Sequence, residues 1–252
     1  DLANGRCDVV NVDDEIPNTD SVATTSLDDD ARACLFYTSG STGQSKGAYS
    51  DHRGVLQGTF NYLAQTMGLL DLVTRRGEPP KHPPATLLNV PLFHVTAAVP
   101  VLLQSFAMGR KLVLMPKWDA GEALRLIEAE KCTYFVGVPL MSFEMATHPD
   151  RAKYDLSSCI TFAAGGAPRP LEHVTRIREA MPHGFPILGY GLTETNAVGC
   201  GNFNENYIAK PGSTGPVSRP LVDLAILDDD SNVLPQGQVG EISIRSAANF
   251  LG

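Results

Sequence analysis

From residue 31 onward, short β-branched and aliphatic runs alternate with amphipathic stretches of helical period. The runs KLVLM, TYFVGV and CITFAAGG are followed in turn by AGEALRLIEAEK, PLMSFEMAT and RPLEHVTRIREAM. Such runs predict strands, and strands that alternate with helices form a sheet with helices packed on its faces. The alternation therefore predicts an α/β protein with a layered body of sheet and helices.

The two ends of the chain differ from this body. After Ile187, the stretch VDLAILDDDSNVLPQGQVGEISIR has two alternating runs joined by turn residues, which predicts a β-hairpin. Asp1 to Asp30 hold nine carboxylates against Arg6, which is typical of a solvated linker or leader. We therefore divide the chain into an acidic leader (1–30), an α/β body (31–200) and a small β-rich part (201–252).

Charge and hydropathy exclude two classes of partner. The formal net charge is −8, and outside the leader 19 acidic residues face 19 basic ones, so the body has no basic footprint for nucleic acid. The longest apolar stretch, Val95 to Met108, is shorter than the ~20 residues that span a bilayer. We expect neither a nucleic-acid partner nor an integral membrane segment. The oligomeric state stays open.

The cysteines indicate a reducing compartment. Cys7, Cys34, Cys132, Cys159 and Cys200 are scattered without a C-x-x-C pair, and their number is odd. This pattern is more typical of a cytoplasmic protein than of a disulfide framework or a zinc site. Because the chain begins with Asp rather than Met, we expect it to be a piece of a longer protein.

One glycine-rich stretch, FYTSGSTGQSKGAYSDHRG (Phe36 to Gly54), raises the question of phosphate binding. A Walker loop, G-x-x-x-x-G-K-[ST], cradles phosphates with backbone amides. Counted from Gly40, the lysine falls correctly at Lys46, but Ser45 and Gly47 replace the flanking glycine and hydroxyl residue. A P-loop kinase is therefore excluded. From these residues alone, the stretch is either an ordinary surface turn or a phosphate loop of another kind.

Three further segments follow predicted strands, where α/β proteins bind ligands. They are PLFHVTA (91–97), AAGGAPRP (163–170) and GYGLTETNAVG (189–199). Together with YTSGSTGQSKG, they resemble in order and approximate spacing the motifs of the adenylate-forming superfamily, which includes acyl-CoA synthetases, peptide-synthetase adenylation domains and luciferases. The resemblance covers nearly the whole chain from Ala31 to Gly252. It is most like an acyl-CoA synthetase and implies the large N-terminal domain of that family.

The resemblance implies an activity and its cofactors. The full-length protein would use ATP and Mg²⁺ to convert a carboxylic acid to an acyl-adenylate, and would then transfer the acyl group to coenzyme A. In this family the glycine-rich loop is a flexible cover over the β- and γ-phosphates. Glycine lets backbone amides close on an anion without a Cβ clash, and hydroxyls donate to phosphate oxygens. The implied phosphate-binding residues are Thr38, Ser39, Gly40, Ser41, Thr42, Gly43 and Lys46.

The other two nucleotide motifs carry implied roles as well. Tyr190 would lie against the adenine ring, Thr193 on the α-phosphate, and the Glu194 carboxylate toward Mg²⁺. From the residues alone, Thr193 predicts a helix N-cap and Glu194 a charge favoured by the helix dipole, and both interpretations can hold together. AAGGAP alone predicts a tight strand-to-helix turn. The resemblance implies that four of its residues form a wall beside adenine: Gly165, Gly166, Ala167 and Pro168.

His94 bears on the substrate. A lone histidine after an apolar strand is typically a packed or turn residue, whereas the resemblance implies a place beside the substrate carboxylate. Amino-acid activators of this family usually carry Asp there, so His94 favours a fatty or aryl acid as the small-molecule partner.

The matched region stops at GEISIRSAANFLG, before the ribose-binding aspartate and the catalytic-lysine domain of the family, and it lacks the family's N-terminal third. We expect a chain truncated at both ends and inactive alone. Two alternatives stay open, a non-catalytic nucleotide-binding fragment and an adenylation domain for a different carboxylate.

Overall fold

The computed structural model describes residues 31–40 and 43–252. The acidic leader and two residues of the glycine-rich loop, Ser41 and Thr42, lie outside the described residues, and the expectations for them stay predictions.

Ten strands are formed within the described ranges, and they build one large sheet and two small ones. They are β1 (Arg32–Thr38), β2 (Lys46–Asp51), β3 (Ala85–Leu88), β4 (Lys111–Leu114), β5 (Tyr134–Gly137), β6 (Thr161–Ala164), β7 (Phe185–Gly191), β8 (Gly199–Asn202), β9 (Val222–Leu227) and β10 (Glu241–Ser246). The large sheet has the order β4-β3-β5-β6-β7-β8. All of its pairings are parallel except that of β7 with β8. The carboxyl ends of β3, β5, β6 and β7 therefore meet at one edge.

The helices alternate with these strands, as the sequence pattern predicted. They are α1 (His52–Arg75), α2 (Val95–Ala97), α3 (Gln104–Met108), α4 (Ala120–Glu130), α5 (Pro139–Thr147), α6 (Leu171–Ala180) and α7 (Asn204–Ala209). Asp51 caps α1, because its Oδ1 accepts a hydrogen bond from the amide of Gly54 at 2.6 Å. Asp119 caps α4 in the same way, through the amide of Glu122.

The apolar stretch 95–108 forms a helical segment that is buried over most of its length and exposed at its end, where Phe106 is 69% exposed. Between α2 and α3, the residues Ala98–Leu103 widen into a π-helical turn. Pro100 lies within this turn and has no N–H to donate, which disfavours regular α-helical bonding there. Among the helices of 31–40 and 43–252, none combines the length and apolarity that crossing a membrane requires.

Two apolar layers sandwich the large sheet, because successive strand residues point to opposite faces. On one face, side chains from α4, α5 and α6 pack on the strands, and the core includes Leu87, Phe135, Phe162, Leu124, Ile127, Met145 and Ile177. On the other face, the segment 95–108 covers Leu88, Val136, Ala163 and Ile187 with Ala97 and Val101. This layered packing confirms the predicted fold class.

Two antiparallel hairpins flank the sheet. β9 pairs with β10 from Val222↔Ser246 to Leu227↔Glu241, which confirms the hairpin predicted for this stretch. β8 belongs to the large sheet and contains residue 200, where the body was expected to end. Helix α7 lies in the part that was expected to be β-rich. The domain division therefore stays a prediction.

The second hairpin is β1 with β2, and β2 was not predicted. The glycine-rich loop therefore joins two antiparallel strands, and α1 begins only after the second of them.

Candidate active site

The glycine-rich loop is a turn whose backbone needs glycine. Gly40 and Gly43 have φ of +63° and +80°, and the amide of Gly43 donates to the carbonyl of Gly40 at 3.2 Å. A Cβ on Gly40 would lie 2.2 Å from the carbonyl oxygen of Gln44, so a side chain is excluded there. Thr38 pairs with Lys46 at the end of the hairpin, and the Lys46 side chain is exposed. Lys46 is therefore exposed at the end of a hairpin whose loop requires glycine at position 40.

The segment 165–168 and the end of β7 lie side by side at the carboxyl edge of the sheet. A Cβ on Gly165 would lie 3.3 Å from the carbonyl oxygen of Gly189, and the amide of Gly165 donates to the carbonyl of Gly137 at 3.3 Å. Gly166 has φ of +75°, and Ala167 and Pro168 are exposed. The glycines thus keep a close-packed backbone surface next to Tyr190, which is half-buried on β7. Contact of this surface with adenine stays a prediction.

A tight turn carries Thr193 and Glu194 back to the sheet. Residues Thr193–Thr195 form a single 3₁₀ turn whose N-cap is Leu192, so the prediction of Thr193 as the N-cap of a helix is wrong. The reason is the backbone that follows, because Asn196 and Ala197 have φ of +49° and +67° and end the helical path. The chain then enters β8.

The sides of this turn approach each other closely. A Cβ on Gly191 would lie 2.0 Å from the carbonyl oxygen of Ala197, and one on Gly199 would lie 2.4 Å from that of Tyr190. The hydroxyl of Tyr62 on α1 donates to the same Ala197 carbonyl at 2.5 Å. These contacts hold the backbone of the turn that carries Glu194.

The Glu194 turn and the β1–β2 hairpin are joined through the segment 248–252. The amide of Phe250 donates to the carbonyl of Glu194 at 2.8 Å. The amide of Leu251 donates to the carbonyl of Tyr49 on β2, and the amide of Tyr49 donates to the carbonyl of Gly252, both at 2.9 Å. The stem of the glycine-rich loop and the Glu194 turn are therefore parts of one hydrogen-bonded unit.

His94 makes no hydrogen bond to the described residues of this unit. It is exposed in the connection after β3, and its Nδ1 accepts a hydrogen bond from the amide of Thr96 at 3.1 Å, which caps α2. Within the described residues it has no hydrogen bond or ion pair to Lys46 or Glu194. The geometry gives His94 the turn role that its sequence context suggests, and its place beside a substrate stays a prediction.

A metal cage built from protein ligands does not occur among residues 31–40 and 43–252, because no cluster of three or more His, Cys, Asp or Glu side chains is found there. The Glu194 carboxylate accepts no hydrogen bond from any described residue. A lone carboxylate of this kind fits Mg²⁺, which takes oxygen ligands, keeps several waters and binds proteins through one or two carboxylates together with substrate phosphates.

The sequence matches the family model of AMP-binding enzymes over residues 5–252. The chain belongs to the AMP-binding enzyme family. This confirms the resemblance drawn from the four motifs, and the curated relatives that the chain matches include acid–CoA ligases.

Three relatives illustrate the match. A 4-coumarate–CoA ligase, CCL1, from Humulus lupulus is 35% identical over 219 residues, 84% of this chain and 38% of the relative. A long-chain-fatty-acid–CoA ligase from Bacillus subtilis is 32% identical over 216 residues, 84% of this chain and 36% of the relative. The inhibitor-bound N-terminal domain of FACL13 from Mycobacterium tuberculosis superposes with a TM-score of 0.76 at 27% identity, covering 91% of this chain and 53% of that one. The match covers only 36–38% of the length of the two ligases, so the chain spans well under half of each.

Sequence reasoning missed a buried arginine beneath the 165–168 segment of this AMP-binding enzyme. Arg169 is only 5% exposed, and its guanidinium lies 5.6 Å from the centre of the Tyr207 ring. Its Nη2 contacts Ser142 Oγ at 3.4 Å, while Nε and Nη1 have no partner in the described part of the chain. Burial lowers the pKa of Arg169, and the neighbouring Tyr207 hydroxyl opposes that shift. The motif letters carry no signal for this burial, which arises from contacts with α5 and α7.

Proposed function

We propose that the chain forms the nucleotide- and acid-binding part of an ATP-dependent acid–CoA ligase. The substrate carboxylate attacks the α-phosphorus of ATP, the bond to the β-phosphate oxygen breaks, and pyrophosphate leaves. The thiol of coenzyme A then attacks the acyl carbon of the acyl-adenylate, loses its proton and expels AMP. The main support is the hydrogen-bonded unit that links the stem of the glycine-rich loop to Glu194 through Tyr49 and Phe250.

The residues of the two segments have complementary chemistry. The loop brings an exposed cation at Lys46 and hydroxyls at Thr38 and Ser39, which suit phosphate oxygens. The turn brings a hydroxyl at Thr193 and the carboxylate of Glu194. Glu194 would hold Mg²⁺, which offsets the negative charge that builds up on the phosphates in the transition state.

Apolar side chains at the carboxyl edge of the sheet support a fatty or aryl acid as substrate. Phe93, Val138 and Leu140 follow β3 and β5 and are exposed, Phe93 to 79%. Exposed apolar patches of this kind commonly mark ligand-binding surfaces. His94 in place of Asp favours an acid without an α-amino group. Two relatives are named for 4-coumarate and long-chain fatty acids, which are aryl and aliphatic acids.

The second candidate function is nucleotide binding without turnover by this chain alone. It is one of the alternatives that the sequence leaves open. Trapping of acyl-adenylate with hydroxylamine separates the two candidates, because only a catalytic chain forms hydroxamate from ATP and an acid. A cytoplasmic location stays a prediction from the cysteine pattern.

The decisive experiment is substitution of Glu194 by Gln in the full-length protein. Loss of the carboxylate should lower acid-dependent pyrophosphate exchange by ~10²-fold or more, because a charge preorganised for the transition state is lost. A merely structural carboxylate near a helical turn contributes only about 0.3 to 1 kcal/mol.

Glu122→Gln is the matched control. Glu122 is also a carboxylate in a first helical turn, on α4, and it pairs with Arg125 at the surface. This variant should keep the wild-type exchange rate. Near-normal exchange in a folded Glu194→Gln variant would contradict the proposed role of Glu194.

A further inference from the structure

Asn196 is a fully buried polar residue that directly follows the Glu194 turn (Thr193–Thr195). None of its surface is exposed, and it adopts φ of +49°, a conformation that asparagine tolerates better than most residues. Its Nδ2 donates to Ser50 Oγ at 3.0 Å and to the carbonyl of Ala248 at 2.8 Å. One carboxamide therefore links strand β2, the Glu194 turn and the segment 248–252, which are far apart in the sequence.

Helix α1 leaves a notch for this side chain. A Cβ on Gly58 would lie 3.1 Å from both Cβ and the carbonyl oxygen of Asn196, and a Cβ on Gly54 would lie 3.4 Å from its Nδ2. These glycines lie in the first two turns of α1, directly after β2. A larger residue at either position would push the helix and the turn apart.

The Asn196 link differs from the other contacts around the turn. Tyr62 holds α1 to Ala197, and the backbone of Phe250 holds the segment 248–252 to Glu194. Asn196 instead reaches the hairpin strand itself, at Ser50, two residues before the helix begins. Its Oδ1 has no partner among the described residues, so the donor side of the amide makes these bonds.

We propose that Asn196 is a positioning residue. It holds the hairpin that carries the glycine-rich loop against the Glu194 turn, so that Lys46 and Glu194 face the same bound triphosphate. This inference rests on the proposed function for its ligand, MgATP. The juxtaposition of hairpin and turn itself does not depend on the ligand.

The test replaces Asn196 by Gly, which keeps the positive φ accessible and removes the whole side chain with its carboxamide. The matched control is Asn202→Gly. Asn202 is likewise buried, and its Nδ2 also donates to two acceptors, the carbonyls of Lys210 and Ser213, but these lie away from the hairpin. Both variants lose two hydrogen bonds, and only one loses the link to β2.

Two measurements are made on each protein. In the absence of ligand, amide hydrogen exchange in β2 should become about tenfold faster in Asn196→Gly, since roughly one net hydrogen bond is lost there, and should be unchanged in Asn202→Gly. In calorimetric titrations, MgATP should bind Asn196→Gly about tenfold more weakly than wild type. Its affinity for Asn202→Gly should equal that for wild type.

Equal exchange of β2 in wild type and Asn196→Gly would overturn the inference, as would a loss of the same size in the control. If the wild-type chain bound no MgATP, the proposed function of this chain would fail, while the exchange of β2 would still decide whether Asn196 positions the hairpin.

Discussion

Substitution of Gly191 by Ala should test the tight turn that presents Glu194. The added Cβ would lie 2.0 Å from the carbonyl oxygen of Ala197 and 2.4 Å from its carbonyl carbon, whereas real Cβ atoms essentially never approach closer than 3.0 Å. The obstacle is backbone, so the two sides of the turn must separate by about 1 Å or more. Gly189→Ala is a matched control on the same strand, since its Cβ would lie 4.0 Å from the carbonyl oxygen of Ala164, an ordinary contact.

The expected magnitude follows from this difference. Overpacking costs about 1 to 3 kcal/mol, and a rigid backbone obstacle places Gly191→Ala near the upper limit of about 3 kcal/mol. For a chain of this size, each kcal/mol shifts the melting temperature by about 2 to 4 °C, so a fall of about 6 to 12 °C is expected. Gly189→Ala should be unchanged or more stable by up to about 1 kcal/mol, because alanine restricts the unfolded chain.

The assay is thermal unfolding followed by circular dichroism without nucleotide, for wild type and both variants. A melting temperature of Gly191→Ala within about 2 °C of wild type would refute the turn geometry, because this shift corresponds to about 1 kcal/mol at most. An equal fall in Gly189→Ala would refute it as well, since glycine would then be needed along the strand for reasons other than the turn.

Three further predictions concern the core and the substrate. Arg169→Leu should leave the free energy of unfolding unchanged or raise it by about 1 to 4 kcal/mol, because a poorly paired buried charge is replaced by an apolar side chain, and a fall measured by urea unfolding would contradict this. Burial raises the pKa of the Cys132 thiol from 9.0 to about 11, so its pKa is higher in the folded than in the unfolded protein. The stability that the thiol contributes is therefore fully present below about pH 9 and is lost as the pH rises toward 11. Urea unfolding across this pH range should show a weaker loss of stability in Cys132→Ala than in wild type, and parallel losses would argue against the buried thiol. Pyrophosphate exchange by the full-length protein should respond to fatty or aryl acids and stay at background with α-amino acids, and the reverse response would rule out the substrate class inferred from His94.

Much of the fold could be predicted because the central strands of the large sheet, such as β3, β5 and β6, are buried on both faces. ATLL in β3 and YFVG in β5 are near-continuous apolar runs, which is the pattern of parallel strands covered by helices. β2 and β8 escaped prediction because KGAYSD and GCGN have no such run. Their strand conformation comes from pairing, with β1 in one case and β7 in the other, and pairing between distant segments is not visible in local composition.

The candidate site likewise has features that the sequence predicts and features that it does not. The glycine positions could be located, because a backbone that must turn with positive φ or pass close to another strand needs glycine, as at Gly40 and Gly166. The environments of Asn196 and Arg169 could not, because both are buried by elements distant in the sequence. Thr193 was assigned a helix N-cap for a related reason, since local propensity favours a cap there and the positive φ of Asn196 overrides it.

The placement of the glycine-rich loop between β1 and β2 separates the residues proposed to bind phosphate from the architecture of the protein. The loop enters and leaves through neighbouring antiparallel strands, so its two ends are held together whatever its composition. Helix α1 begins from its own cap at Asp51, outside the loop, and β1 and β2 form a two-stranded sheet that is separate from the large sheet. Residues could thus be inserted into or exchanged within the loop without moving the core, which makes this hairpin a suitable place to graft another sequence onto the same scaffold.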